Sequence, residues 1–279
     1  MAWRRLRRNR AAMLGGVILL LFVLMAIFAD VLAKQGPEAL PDFEHRFAPP
    51  MTEGFVLGTD DIGRDVLSRV IHGSRISLRV GIIAVLLAAA GGTLIGLAAG
   101  YFGGWVDMLI SRVIDVLLAF PGLLLAIVIV ASLGPGLQNA MFALGVAGIP
   151  YYARVVRGST LAAKELGYVR AARAVGMRDT RIMIRHILPN IVSPILIMAT
   201  LGLGTTIISA AGLSFLGLGA SPPTPEWGLE LSQSRGFLAQ APWISISNGV
   251  ALALTVLSIN MFGDGLREAL DPQATSWAK

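Results

Sequence analysis

Covalent chemistry needs a nucleophile, a base or a metal-holding cluster, and this sequence offers few of them. Cysteine is absent, which excludes thiolate catalysis, disulfides and thiolate-bound metals. None of the lysines, Lys34, Lys164 and Lys279, follows a glycine, so the phosphate loop that ends in Gly-Lys-Ser/Thr is missing and the chain is not expected to hydrolyse ATP itself. The stretch GLGTTIISAAG from Gly202 lacks the third glycine of a dinucleotide fingerprint and reads as helix packing. His45 and His72 fall in a loop and His186 at a helix edge, away from any serine inside an apolar run; Ser214 in GLSFLG lacks the glycine that directly follows an intramembrane protease's nucleophile. DDIGRD, from Asp60 to Asp65, has neither the alternating oxygen ligands nor the closing Glu of a calcium loop. No enzyme activity, metal or cofactor is expected.

What remains is suited to binding. YVRAARAVGMRDTRIMIRHILPN, Tyr168 to Asn190, sets arginines among alanines and one glycine. Helical spacing over Tyr168 to Val175 places Tyr168, Ala171, Ala172 and Val175 along one side, with Arg170 and Arg173 on a flank. Gly176 can end that helix in the left-handed conformation, and Asp179 can cap the next. Small side chains permit close docking against a partner. A basic loop helix resting on anionic lipid has the same pattern, and the residues alone leave both readings open.

The elements around this segment are apolar. The 279 residues are 55% hydrophobic and 14% charged, with mean hydropathy +0.71, values that describe an integral membrane protein. Runs long enough to cross about 30 Å of hydrocarbon extend from Met13 to Ala33, Ile76 to Gly100, Leu109 to Leu133, Leu137 to Val156, Ile187 to Leu213 and Ile244 to Phe262. The first follows WRRLRRNR and resembles a signal peptide, but its length favours a retained span. Six spans put both termini on one side. With the termini inside, most of the 23 Lys and Arg residues are cytoplasmic, as the positive-inside bias requires. Residues 1–12 and 267–279 are then cytoplasmic tails, 13–33 the first span, 34–75 an extracytoplasmic loop, and 76–266 a five-helix core. That core holds a cytoplasmic segment at 158–186 and an outer loop at 214–243. The net charge of +6 is dispersed between the apolar runs, which points to membrane lipid and not to nucleic acid.

Within this frame, Asp60 or Asp61 caps an expected short surface helix with Val66, Leu67, Val70 and Ile71 on one face. Trp227 and Trp243 are expected at headgroup level in the outer loop, as interfacial anchors or as part of an outer gate or docking surface. Gly92, Gly96, Gly100 and Gly104 recur every four residues and predict a close helix contact. Pro121, Pro150 and Pro194 predict kinks. Arg112 and Asp115 are spaced to pair, and the centres of the spans carry almost no ionisable residue, which counts against a proton-coupled carrier.

The segment resembles the EAA signature of permease subunits in bacterial ABC importers, Glu-Ala-Ala, three residues, Gly, nine residues, then Ile-x-Leu-Pro. Ala171, Ala172, Gly176, Leu188 and Pro189 fall in register, while Arg170 replaces the Glu and His186 the Ile. LGTDDIGRDVLSRVIHGSRISLRVG, AGYFGGWVD, RVIDVLLAFPGLLLAI, RHILPN, SFLGLGASPPTPEWG and NMFGDGLREALDP are similar to the second permease subunit of dipeptide, oligopeptide and nickel importers. The resemblance implies an all-α type I importer permease fold in the bacterial inner membrane. It also implies a coupling helix built from Tyr168, Arg170, Ala171, Ala172, Arg173, Val175 and Gly176, with Leu188 and Pro189 behind it. The implied partners are a homologous second permease subunit, two ATP-binding subunits and an extracytoplasmic substrate-binding protein, with di- or oligopeptides or related small solutes as cargo. A self-contained carrier and a non-transporting receptor or scaffold are the alternatives; dependence on a separate ATPase and vectorial uptake separate the three.

Overall fold

The computed structural model describes residues 6, 7 and 9–270. Arg4, Arg5 and Arg8 of the expected N-terminal tail, and residues 271–279 at the other end, lie outside the described residues. The chain folds as helices α1 Arg10–Ile27, α2 Ala29–Leu32, α3 Val66–Phe102, α4 Gly104–Leu118, α5 Gly122–Leu133, α6 Leu137–Lys164, α7 Gly167–Ala174, α8 Asp179–Ile182, α9 Leu188–Phe215, α10 Trp227–Ser234 and α11 Pro242–Leu270. Two single-turn helices and one π-turn also form, and isolated bridges at Thr52–Phe55 and Thr59–Asp65 are the extended pairings among the described residues.

Length and composition qualify four segments to cross a membrane: α1, α3, the continuous run Asp179–Phe215 and Pro242–Ala269. A fifth qualifies if α4 and α5 count as one span. The expected single run from Leu109 to Leu133 is in fact bent by 91° between α4 and α5. Pro121 is the cause, since it has no N–H to donate and disfavours helical backbone at Phe120. α6 is 28 residues long but carries Arg154, Arg157 and Lys164 toward its end, and it falls outside the crossing set. The expected count of six is therefore not reached on these criteria. α1 also ends earlier than expected, at Ile27, and Phe28 joins it to α2.

α3 holds the bundle together. Asp65, not Asp60 or Asp61, caps it by accepting from the N–H of Ser68 at 2.9 Å. The expected surface helix does not exist as a separate element, because Val66, Val70 and Ile71 are buried in the first turns of this one 37-residue helix. The Asp60 carboxylate instead folds the preceding loop, accepting from the backbone of Ile62 and Arg64 and from Arg64 Nε at 2.6 Å. At about 1.5 Å per residue, α3 extends roughly 55 Å.

α6 lies along α3 at backbone distance. A Cβ placed at Gly92 would sit 2.4 Å from Tyr152 Cβ, at Gly96 2.5 Å from the carbonyl oxygen of Ala153, and at Gly100 2.7 Å from Thr160 Cβ. Gly104 does not join this row. α3 ends at Phe102, Gly103 and Gly104 take φ of +65° and +55°, and Gly104 faces open space as the first residue of α4. The row stops where two adjacent glycines turn the chain through a backbone conformation that residues with a Cβ rarely adopt. Where α4 passes α6, Asp107 pairs with Arg157 (Oδ2 to Nη2, 2.7 Å) and Asp115 with Arg154, so the Arg112–Asp115 pair expected within one helix is not formed.

The loops at the Val66 end form a cap with its own core. Trp227 is fully buried, packs edge-on to Phe22, and donates its indole N–H to the Val70 carbonyl at 3.1 Å. It is a core residue of the cap and not a headgroup anchor. Trp243 donates to Thr59 O at 3.1 Å.

Candidate functional site

The Arg-rich segment begins where α6 ends. Leu166 starts α7 without a side-chain cap, and the helix closes in a glycine-based terminus: Gly176 has φ +74°, and the Met177 N–H reaches back to the Ala172 carbonyl at 3.1 Å. The helix is eight residues long and presents two unlike faces. Val169 is fully buried and Ala172 is 7% exposed, both packed with Leu97 and Tyr101 of α3, Val156 and Ala163 of α6, and Ile182 and Ile187. Tyr168, Arg170, Ala171, Arg173, Val175 and Gly176 face outward, with Val175 80% exposed. Ala172 thus parts from the side expected to include it. It belongs to an inward pair with Val169, three residues apart, while Tyr168, Ala171 and Val175 form the free face.

Leu188 and Pro189 stand at the start of α9, off this face. Leu188 is half-buried against the cluster and Pro189 is exposed. Pro189 has no N–H to close a normal turn onto Arg185, and the chain widens to a π-turn over Met183–Ile187, in which the Leu188 N–H bonds Met183 O. His186, on that turn, has its Nε2 buried with no hydrogen-bond partner among the described residues. Gly176, Arg178, Arg181, Ile184, Arg185 and Pro189 border an open groove of about 870 Å³ beside α7. The three arginines make no ion pair among the described residues, so the groove is strongly basic.

Asp179 does not cap α8. The N-cap position belongs to Arg178, without a side-chain bond, and the Asp179 carboxylate instead accepts from the Tyr101 hydroxyl at 2.5 Å. Arg173 lies over the same Tyr101 ring, 5.1 Å from its centroid. Sequence reasoning missed Tyr101 and Val169. Val169 was visible as the apolar member of an i,i+3 pair with Ala172; the Tyr101–Asp179 bond joins residues 78 positions apart and leaves no local signal.

In the cap, Arg69 Nε donates to Glu230 at 2.7 Å, with both side chains buried. Glu226 is also buried, caps α10 by accepting from the Leu229 N–H at 2.9 Å, and receives Ser77 Oγ at 3.3 Å; burial pushes its carboxyl above the usual range. No cluster of three or more metal-ligating side chains occurs among the described residues.

The sequence profile described as the binding-protein-dependent transport system inner membrane component matches residues 92–276, and that of the N-terminal TM domain of oligopeptide transport permease C matches residues 1–50. The chain is 49% identical over 276 residues to the dipeptide transport system permease protein DppC of Alkalihalophilus pseudofirmus, covering 99% of this chain and 90% of that one. It is 46% identical over 274 residues to the glutathione transport system permease protein GsiD of Pectobacterium atrosepticum, covering 98% and 91%. Among solved structures, the inward-facing MetNI methionine ABC transporter aligns with TM-score 0.58 at 21% identity, over 73% of this chain and 97% of that one. An amino acid ABC transporter with histidines aligns with TM-score 0.56 at 18% identity, over 73% and 95%. At those identities the structural matches show a shared fold.

Proposed function

Since the chain belongs to the binding-protein-dependent transport system inner membrane components, as a permease subunit of an ABC importer, we propose that α7 is its seat for an ATP-binding subunit. The observation that carries this reading is the division of α7 into two faces. Val169 and Ala172 fasten the helix to the bundle, while Tyr168, Ala171 and Val175 stay exposed beside a groove lined by Arg178, Arg181 and Arg185, the Tyr168 hydroxyl donating to the His186 carbonyl at 3.4 Å. An apolar strip flanked by positive charge and bounded by the small Ala171 and Gly176 fits a shallow, negatively edged cleft on another protein. Arg170, in place of the family's carboxylate, adds to that charge.

The chain then forms half of a translocation pathway with a homologous permease. Two ATP-binding subunits hydrolyse ATP on its behalf, and an extracytoplasmic binding protein delivers cargo at the Arg69–Glu230 cap. The dipeptide and glutathione relatives support short peptides as the class of cargo. In proteoliposomes that enclose ATP, with binding protein and a labelled dipeptide added outside, uptake is expected only when the ATP-binding subunits are present. Uptake without them contradicts the proposal and favours a self-contained carrier.

In this reading both termini and α7 lie in the cytoplasm, an orientation supported by the distribution of Lys and Arg between the apolar runs. The chain has no native cysteine, so single cysteines report cleanly. Cysteines at the exposed positions Glu53 and Gln240 are expected to react with an impermeant thiol reagent added to intact cells, and one at exposed Thr180 only after the membrane is opened. Labelling of position 180 from outside reverses the orientation.

A further inference from the structure

α3 touches both functional ends of the molecule. At its Val66 end, Arg69 is paired with Glu230, the Val70 carbonyl receives Trp227, and Ser77 reaches Glu226, so three side chains of the cap are bound to the first 12 residues of one helix. At its Phe102 end, Leu97 and Tyr101 pack against Val169, Ala172 and Ile182, and the Tyr101 hydroxyl bonds Asp179. Between these ends α3 has no proline over 37 residues, and α6 is laid against it at Gly92, Gly96 and Gly100, where side chains cannot intervene to let the helices slide. Lys164, the last residue of α6, closes the pair by donating to Gly100 O at 2.9 Å.

The short helix α7 is joined to its neighbours in sequence by loops at each end, and loops transmit force poorly. Its inward contacts, Val169 and Ala172, are apolar and non-directional. The phenol–carboxylate bond is different: it is charge-assisted, directional and set beside a 5%-exposed ring under Arg173, so it fixes how the segment is oriented on α3. We propose that Tyr101 and Asp179 are positioning residues that hold α7 in register with the α3–α6 pair, so that a displacement of α7 is delivered along α3 to the cap. The inference rests on the reading of α7 as the ATPase seat.

The test uses the complete transporter in lipid nanodiscs, with Tyr101→Phe, Asp179→Ala and the double variant. Tyr101→Phe keeps the ring under Arg173 and removes only the hydroxyl. Recovery of ATP-binding subunits and basal hydrolysis are expected to stay at the level of the unmodified complex. Stimulation of hydrolysis by loaded binding protein should fall severalfold in each single variant, and the double variant should be no worse than either, because both remove the same bond. Asp179→Glu, which keeps the charge, should retain part of the stimulation. Full stimulation with Tyr101→Phe overturns the proposal, as do additive losses in the double variant. Loss of subunit recovery in step with stimulation also overturns it, since that is the result of a merely structural bond. If ATP-binding subunits fail to assemble with the unmodified chain, the seat itself is contradicted, and this inference with it.

Discussion

Tryptophan at position 171 should abolish recovery of the ATP-binding subunits while leaving the permease folded. Ala171 is exposed on the outward face of α7, between Tyr168 and Val175. A large side chain there has room in the isolated permease but not in a cleft fitted to a methyl group. Overpacking of this kind costs about 1–3 kcal/mol in packed interiors, which at about 1.4 kcal/mol per tenfold is roughly a five- to hundredfold loss of affinity. Ala172→Trp should behave differently. Its side chain points into the cluster with Val169, Leu97 and Ile182, so the larger ring would disrupt the permease itself and lower its yield along with everything downstream. Co-purification of the ATP-binding subunits against the amount of folded permease separates the two variants. Normal recovery with tryptophan at 171 removes α7's free face from the interface.

The second large effect is at the glycine row. Gly96→Leu places a side chain where even a Cβ would lie 2.5 Å from Ala153 O, 2.8 Å from Val156 Cβ and 2.9 Å from Arg157 N. Two of those three atoms are backbone and cannot rotate away. The α3–α6 pair must separate, at a cost toward or beyond the upper end of about 1–3 kcal/mol, and with it go the clusters that both helices support. Yield of monodisperse protein is expected to fall severalfold or more. Gly158→Leu is the matched control, since it lies on α6, is exposed, and has nothing within 4 Å of a Cβ. Equal yields from the two variants would mean that the close approach contributes little to the fold.

These two sites also show what the sequence makes legible. A four-residue glycine repeat has a single structural use on an apolar helix, close approach, and Gly92, Gly96 and Gly100 are found in that use; where the helix stops, at Gly103 and Gly104, depends on a turn that the repeat itself conceals. Gly176 was legible because the left-handed terminus of α7 asks for glycine. The facing of α7 was not. Ala171 and Ala172 are chemically identical and about 100° apart around a helix, and only the neighbours of Val169 decide which of them turns inward. The first turns of α3 read as a separate surface helix because the partner that buries Arg69, Glu230, is 161 positions away. Trp227 misled for a related reason. Tryptophan prefers headgroups when exposed, but here Val70 O meets its N–H inside the cap. The break at Pro121 could be foreseen, whereas its 91° angle has no counterpart in the local pattern.

The central claim is that the outward face of α7 meets an ATP-binding subunit, and site-directed crosslinking tests it most directly. In an actively transporting complex built on the cysteine-free chain, a cysteine at position 171 carrying a short photoactivatable crosslinker should form a covalent adduct with an ATP-binding subunit, and one at position 172 should not. Adducts from 172 but not 171, or none from either position while transport continues, would contradict the account.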